Sequence, residues 1–161
     1  MSKTCWITGA SSGIGKFTSL CFAKNGYTIF ASSRSLENLN NLVNESRSLN
    51  LKGKIVALPL DVTNADQILT CSKFIAENTE NLDFVILNAG TYIREDSKLA
   101  TVKSTRKMID LNYTSVLNHI IILQPFISIL NIKSICKLLS FKKFFKKVAW
   151  IKDLGYPSRI K

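Results

Sequence analysis

A glycine- and serine-rich stretch near the amino terminus carries the strongest chemical signal in the sequence. It reads Thr8-Gly9-Ala10-Ser11-Ser12-Gly13-Ile14-Gly15 and lies between a strand-like segment and a segment of helical periodicity. In this setting Gly9 permits a tight turn, Gly13 lets the backbone approach a phosphate, and Gly15 lets helix and sheet pack closely. The free N–H groups and positive dipole end of the helix favour an anion. The spacing predicts a pyrophosphate-binding loop of a dinucleotide site, with contact residues Gly9, Ser11, Ser12, Gly13, Ile14 and Gly15.

The residues after the second predicted strand indicate the type of dinucleotide. A carboxylate at this place would accept hydrogen bonds from a ribose 2′-hydroxyl and would repel a 2′-phosphate. The sequence reads Ala31-Ser32-Ser33-Arg34 instead, and Arg34 can form a charge-assisted pair with a 2′-phosphate. Lys16, directly after the loop, supplies a second cation near the same expected pocket. NADP(H) is therefore favoured and NAD(H) is the alternative, unless both cations are simply solvated at the surface.

Three further motifs follow the loop in a regular order. Asp61-Val62 comes after the third predicted strand, Asn88-Ala89-Gly90 closes the fourth, and Asn112 lies in a long apolar helix. Together with the T-G-x-x-x-G-I-G loop, these motifs resemble the cofactor-binding portion of the short-chain dehydrogenases/reductases. The resemblance implies an NADP(H)-dependent oxidoreductase that transfers hydride between the cofactor and a small carbonyl or alcohol substrate.

The resemblance also assigns roles to these residues. It implies that Asp61 and Val62 contact the adenine ring, and that Asn88-Ala89-Gly90 forms the floor beneath the ribose and nicotinamide. Asn112 looks like the asparagine of the catalytic Asn-Ser-Tyr-Lys group of the family. Family members complete that group with a serine after the fifth strand and a Tyr-x-x-x-Lys pair, in which the tyrosine is the general acid/base.

The rest of that catalytic group is not found in the sequence. No tyrosine has a lysine four residues later, since Tyr156 is followed by Pro157 and has Ile160 in that place. Ser140 lies at a suitable distance after Asn112, but its neighbours are apolar and basic rather than serine-rich. Ser140 and Tyr156 are therefore doubtful catalytic candidates, and we expect this chain to be catalytically incomplete. The alternative is a non-catalytic nucleotide-binding remnant or regulatory module.

These site residues require a framework of alternating strands and helices. Apolar and β-branched runs predict strands over residues 3–8, 27–31, 54–59 and 83–87, and periodic apolar residues predict helices over residues 14–24, 36–49, 66–78 and 108–123. A polar stretch over residues 91–106 precedes the last helix, and a fifth strand is suggested around residues 133–139. The alternation predicts an α/β fold: a Rossmann-like, doubly wound parallel sheet with helices on both faces, incomplete at its carboxyl-terminal side.

The positive charge of the chain is concentrated at its carboxyl-terminal end. The sequence has a net charge of +11, and residues 131–161 hold nine of its 22 Lys and Arg residues against one acid, Asp153. We divide the chain into an NAD(P)-binding domain over residues 1–130 and an aberrant basic tail over residues 131–161. We favour a frameshift or premature stop as the origin of the tail. A basic amphipathic helix in weak contact with a membrane surface or a partner comes second, and a nucleic-acid contact is not expected.

Composition argues against several other classes of protein. The four cysteines are widely spaced and form no C-x-x-C pair, so we expect no metal site and no disulfide framework. No apolar run reaches the roughly 20 residues of a membrane-spanning helix, and the first residues lack the features of a secretory signal. We therefore expect a cytoplasmic protein.

Overall fold

Strands and helices alternate along the chain in the order that the sequence patterns predict. The computed structural model describes residues 3–91 and 101–137. Its elements are β1 (Thr4–Thr8), α1 (Gly13–Lys24), β2 (Thr28–Ser32), α2 (Leu36–Ser48), β3 (Lys54–Ala57), α3 (Ala65–Asn78), β4 (Phe84–Leu87), α4 (Val102–Ile109), a π-helical turn (Asp110–Thr114), α5 (Ser115–Leu123), α6 (Phe126–Ile129) and β5 (Ser134–Lys137). The bounds of every element up to β4 lie within two residues of the predictions.

The five strands form one parallel sheet in the order β3-β2-β1-β4-β5. β1 is central, and all five of its residues are buried. After β3 the chain crosses to the other side of β1 to form β4, so the carboxyl ends of β1 and β4 flank a topological switch point. Open α/β sheets bind their ligands at such a point. The predicted Rossmann-like α/β class is confirmed.

β5 comes from residues that composition assigned to the basic tail. It pairs in parallel with β4, and Lys137 lies opposite Leu87. The sheet therefore extends past residue 130, and the described part of the suggested strand over residues 133–139 is present.

Two apolar cores cover the two faces of the sheet. On one face Trp6, Phe30 and Leu87 pack with buried side chains of α3 and α5, such as Ile75 and Leu123. The other face carries a second cluster, made of the alternate strand residues and of helices α1 and α2; its buried members include Ile7, Ile29, Ile86, Ala23, Leu39 and Leu42. Successive residues of a strand point to opposite faces of the sheet, which produces this division. The two clusters confirm the prediction of helices on both faces.

The helix before the π-helical turn differs from the prediction. A polar stretch was expected up to residue 106, but α4 begins at Val102. The reason is a capping box, in which the backbone N–H of Ser104 donates to Oγ1 of Thr101 and the backbone N–H of Thr101 donates to Oγ of Ser104, both at 3.1 Å. The predicted helix over residues 108–123 is also interrupted by the π-helical turn Asp110–Thr114.

One carboxylate connects three strands at the edge of the sheet where the strands begin. Asp83 is 5% exposed and precedes β4. Its Oδ2 accepts from the backbone N–H of Thr4 at 2.9 Å, and its Oδ1 pairs with Nζ of Lys133 at 2.5 Å. Because Thr4 begins β1 and Lys133 directly precedes β5, Asp83 fixes the starts of β1, β4 and β5 relative to one another.

Candidate cofactor site

The predicted site residues gather at the carboxyl edge of the sheet, because parallel strands all end at the same edge. The glycine loop follows β1, Arg34 follows β2, Asp61 follows β3 and Asn88 follows β4. Neighbouring strands lie about 4.8 Å apart. These groups therefore form a row along the edge in the order Asp61, Arg34, loop, Asn88, which suits an elongated ligand.

The glycines of the loop occupy different environments. Gly9 and Gly13 have φ angles of +66° and +52°, in the left-handed region that favours glycine. A Cβ atom on Gly15 would overlap the carbonyl oxygen of Gly9 and lie 2.5 Å from Nδ2 of Asn88. A Cβ atom on Gly13 would meet no atom within 4 Å. The backbone at Gly13 therefore faces open space at the start of α1, where a phosphate can approach it closely.

The side chains of the first turn of α1 neither cap its backbone N–H groups nor offset the positive end of its dipole. Ser12 is the N-cap residue, but its side chain accepts no capping hydrogen bond, and the first turn contains no acidic residue. Ser12 and Gly13 are exposed, whereas Ser11 and Ile14 are half-buried. The amino-terminal end of α1 is therefore suited to an anion.

Asn88 holds the glycine loop in place. Its Nδ2 donates to the carbonyl oxygens of Thr8 and Gly9 at 3.1 and 3.0 Å. The backbone N–H of Ala89 donates to Oγ1 of Thr8 at 3.1 Å. Asn88 and Ala89 were expected in the floor of the site, whereas the hydroxyl of Thr8, which joins β4 to β1, was not predicted. The side-chain amide of Asn88 is thus engaged with the loop itself.

Asn112 lies in the π-helical turn and contacts the chain that leaves β4. Its Oδ1 accepts from the backbone N–H of Thr91 at 2.8 Å, and its Nδ2 donates to the carbonyl oxygen of Thr91 at 2.7 Å. A Cβ atom on Gly90 would lie 2.9 Å from Oδ1 of Asn112. Both ends of this side-chain amide are therefore engaged with the backbone of Thr91.

Asp61 and Arg34 lie close enough for their charges to interact. Oδ1 of Asp61 accepts from the backbone N–H and the hydroxyl of Thr63. These hydrogen bonds and the charge of Arg34 hold the pKa of Asp61 below its ordinary value, although burial opposes them. Arg34 is exposed. Val62 is only 6% exposed and packs in the apolar core, so its side chain offers little surface for the expected adenine contact.

Lys16 was expected to supply a second cation near the same pocket as Arg34, but its ammonium group is engaged in an ion pair. Its Nζ pairs with Oε2 of Glu45 at 2.6 Å. Glu45 lies in the last part of α2, whereas Arg34 precedes that helix. Attraction between opposite charges on the neighbouring helices α1 and α2 accounts for this position, and Arg34 is left as the cation at the end of β2.

The structure also places Lys137 at this edge of the sheet, which was not predicted. Nζ of Lys137 donates to the carbonyl oxygen of Ala89 at 2.7 Å, and burial lowers the pKa of its ammonium group. Lys137 was counted only as part of the basic tail; the suggested fifth strand was the signal that could have placed it at the sheet edge. The candidates Ser140 and Tyr156 lie outside the described residues.

Over the ranges 3–91 and 101–137, no group of three or more His, Cys, Asp or Glu side chains could hold a metal ion. The four cysteines are free, and burial raises the pKa of Cys71 to about 11. No helix in the described part of the chain is long and apolar enough to span a bilayer.

Comparison with known sequences gives matches over most of the chain. The family described as short chain dehydrogenase matches residues 3–143. The 3-oxoacyl-[acyl-carrier-protein] reductase FabG of Thermotoga maritima is 36% identical over 141 residues, which cover 83% of this chain and 56% of that protein. The 11-beta-hydroxysteroid dehydrogenase-like 2 of Arabidopsis thaliana is 34% identical over 117 residues, which cover 69% of this chain and 36% of that protein.

Solved structures match in the same way. An alcohol dehydrogenase from the archaeon Thermococcus sibiricus, complexed with 5-hydroxy-NADP, has a TM-score of 0.69 and 25% identity over 79% of this chain and 54% of that chain. A metagenomic short-chain oxidoreductase in complex with NADP has a TM-score of 0.76 over 86% of this chain and 62% of that chain; at 18% identity this likeness shows the fold alone. The chain spans about half the length of the relatives it matches. The motifs, the sheet topology and these matches agree, and the chain belongs to the short-chain dehydrogenase/reductase family of oxidoreductases.

Proposed function

We propose that this chain binds NADP(H) along the carboxyl edge of its sheet and forms the cofactor-binding part of an oxidoreductase. The proposed reaction is hydride transfer between NADP(H) and a carbonyl or alcohol. The names of the relatives specify a 3-oxoacyl-[acyl-carrier-protein] reductase, a hydroxysteroid dehydrogenase and an alcohol dehydrogenase. A carbonyl and its alcohol are the chemistry that these names share, and they are the substrate class that we propose.

The observation that carries the proposal is the open backbone at Gly13. It lies between β1 and the uncapped start of α1, at the switch point of the sheet. A phosphate fits such a place because it needs close approach to backbone N–H groups and a positive dipole end. Arg34 is exposed at the end of the neighbouring strand β2, where it can pair with a 2′-phosphate.

Different residues of the chain contact or position different parts of the cofactor. The backbone at Gly13 and the dipole of α1 hold the pyrophosphate, while Asn88 keeps the loop in the required shape. Arg34 selects the 2′-phosphate. Asn112 fixes the chain after Gly90, on the side where the nicotinamide half extends. The cofactor, when bound, supplies or accepts the hydride.

Titration of the parent chain with NADPH and NADH, followed by calorimetry, tests the proposed preference. One charge-assisted hydrogen bond contributes about 1.5–3 kcal/mol, so the parent should bind NADPH roughly 10- to 100-fold more tightly. Arg34→Asp should abolish or reverse this preference. The matched control is Lys16→Met, which removes a cation already paired with Glu45 and should leave the preference unchanged. Equal affinities for both cofactors in the parent would refute the NADP(H) assignment.

We also propose that this chain by itself does not reduce carbonyls at a useful rate. Hydride delivery leaves negative charge on the carbonyl oxygen, and a positioned general acid contributes about 10²–10⁴ in rate. The sequence has no Tyr-x-x-x-Lys pair, since Ile160 stands four residues after Tyr156. NADPH oxidation with a panel of aldehydes and ketones should give no turnover above background. Turnover in the parent that disappears in Tyr156→Phe would show that Tyr156 is catalytic.

A further inference from the structure

A half-buried ammonium group lies at the carboxyl end of β5, next to the cofactor site. Lys137 is in register with Leu87 of β4, and its Nζ donates to the carbonyl oxygen of Ala89 at 2.7 Å. Ala89 stands between Asn88, which holds the glycine loop, and Gly90, which lies against Asn112. The positive charge is therefore fixed at the same edge of the sheet as the loop.

No acid neutralises this charge within the described residues. The ion pairs of this part of the chain join Lys16 to Glu45 and Lys133 to Asp83. Among the described residues, His119 is a titratable side chain close to Lys137, and it is 1% exposed. Burial lowers the pKa of His119, the hydrogen bond to the carbonyl of Ser115 opposes this shift, and the nearby charge of Lys137 adds to it. An ammonium group has three donors, and the described contacts use one of them, on Ala89.

The position of Lys137 along the edge indicates what the other donors can meet. Arg34 follows β2, the loop follows β1, Asn88 follows β4, and Lys137 ends β5. From β2 to β5 the edge spans three strand spacings, about 14 Å. A dinucleotide with its 2′-phosphate at Arg34 and its pyrophosphate at the loop must extend its other half toward the ends of β4 and β5.

We infer that Lys137 is a further cofactor-binding residue, whose ammonium group contacts the nicotinamide half of the dinucleotide and favours its reduced form. The inference rests on the proposed NADP(H) site. Neutral oxygens on that half, on the ribose hydroxyls and the carboxamide, can accept from the ammonium group in either redox state. The oxidised ring carries a positive charge and the reduced ring does not, so repulsion from Lys137 weakens the binding of NADP⁺ alone.

Three ligands separate the contributions of the two halves of the site. NADPH and NADP⁺ contain the nicotinamide half, and adenosine 2′,5′-bisphosphate lacks it. Lys137→Met should bind NADPH about tenfold more weakly than the parent and should keep its affinity for adenosine 2′,5′-bisphosphate. The ratio of the Kd for NADP⁺ to the Kd for NADPH should fall several-fold. Lys54→Met is the matched control, because Lys54 is exposed at the amino-terminal edge, where β3 begins, and its loss should change none of these values.

A second variant covers the case in which Lys137→Met fails to fold. Lys137→Gln keeps a hydrogen-bonding side chain but carries no charge, so it should show the same fall in the Kd ratio. A parent chain that binds none of the three ligands overturns the proposed function itself. A parent that binds all three, with variants that shift all three affinities equally or leave them unchanged, overturns only the assignment of Lys137.

Discussion

The side-chain amide of Asn112 and the backbone of Thr91 are joined by two hydrogen bonds, one in each direction. Oδ1 accepts from the N–H of Thr91 at 2.8 Å, and Nδ2 donates to its carbonyl at 2.7 Å. Thr91 follows the Asn88-Ala89-Gly90 turn directly. The π-helical turn is thereby connected to the carboxyl end of β4.

Asn112→Ala should leave both backbone groups of Thr91 without this partner and destabilise the protein by about 1–3 kcal/mol. Asn112→Asp should be at least as harmful, because a carboxylate accepts from the N–H of Thr91 but cannot donate to its carbonyl. Urea denaturation followed by circular dichroism measures both effects. Asn41→Ala, at an exposed position of α2, is the control and should change the free energy of unfolding little. Equal values for Asn112→Ala and Asn41→Ala would contradict the proposed positioning role.

Gly13→Ala and Gly15→Ala should separate ligand binding from stability. A Cβ atom on Gly15 collides with the Gly9 carbonyl and with Asn88, so we expect a loss of about 1–3 kcal/mol or failure to fold. A Cβ atom on Gly13 meets nothing, and its φ of +52° costs only about 1–2 kcal/mol. That same Cβ would occupy the open space where we place the pyrophosphate, so Gly13→Ala should fold but lose NADPH affinity. A folded Gly13→Ala variant with parental affinity would argue against the loop as the phosphate site.

Acid should weaken the fold through Asp83. Burial alone would raise the pKa of this carboxyl, but the hydrogen bond from Lys133, the N–H of Thr4 and the charges of Lys133 and Lys3 outweigh it, so the pKa lies below its ordinary value. Because the pKa is lower in the folded protein, the ionised carboxylate stabilises the folded state at pH values above the unfolded-state pKa of about 3.9. This stabilisation is lost as the pH falls through the lower, folded-state pKa.

Asp83→Asn should therefore lose about 1–3 kcal/mol at pH 7 and show a smaller further loss of stability between about pH 5 and the acid limit. Chemical denaturation at a series of pH values gives both quantities. Glu80→Gln, at a nearby exposed position, serves as the control. An unchanged acid dependence in Asp83→Asn would exclude Asp83 as the responsible group.

The outer faces of α5 and α6 should make the isolated chain prone to association. Ile121 and Ile129 are 61% and 67% exposed, and Leu117, Ile120 and Ile127 of the same two helices are also exposed. Ile121→Glu and Ile129→Glu should reduce light scattering at high protein concentration, with changes in unfolding free energy within about 0.5 kcal/mol. Leu49→Glu, at an exposed site after α2, should have no such effect. Scattering that is unaffected by either isoleucine substitution would count against this surface.

The framework could be predicted from sequence because local signals agree with the fold. Apolar runs mark β1 to β4, and Ser35 and Asn64 supply N-caps to α2 and α3. The glycine loop could also be placed, since its position between a strand and a helix is a local feature. The start of α4 was missed because its signal is a short Thr101–Ser104 capping box within a polar stretch.

The contacts within the site could not be predicted in the same way. Asn112 meets Thr91 across 21 residues of sequence, and Lys137 meets Ala89 across 48. Nothing local to either residue indicates its partner. Lys16 was expected near the same pocket as Arg34 because it directly follows the loop, whereas its ammonium group pairs with Glu45 of the neighbouring helix. Long-range geometry decides which charge each side chain meets.

The π-helical turn Asp110–Thr114 amounts to one surplus residue in a helical run. The N–H of Ser115 reaches back to the carbonyl of Asp110, one residue farther than in an α-helix. Deleting Tyr113, between Asn112 and α5, would allow α4 and α5 to join as one regular helix with better local hydrogen bonding. It would also rotate Asn112 relative to α5 by about 100° and separate it from Thr91. A regular helix through this turn and the hydrogen bonds of Asn112 to Thr91 therefore exclude each other. The surplus residue keeps the hydrogen bonds at the expense of helical regularity.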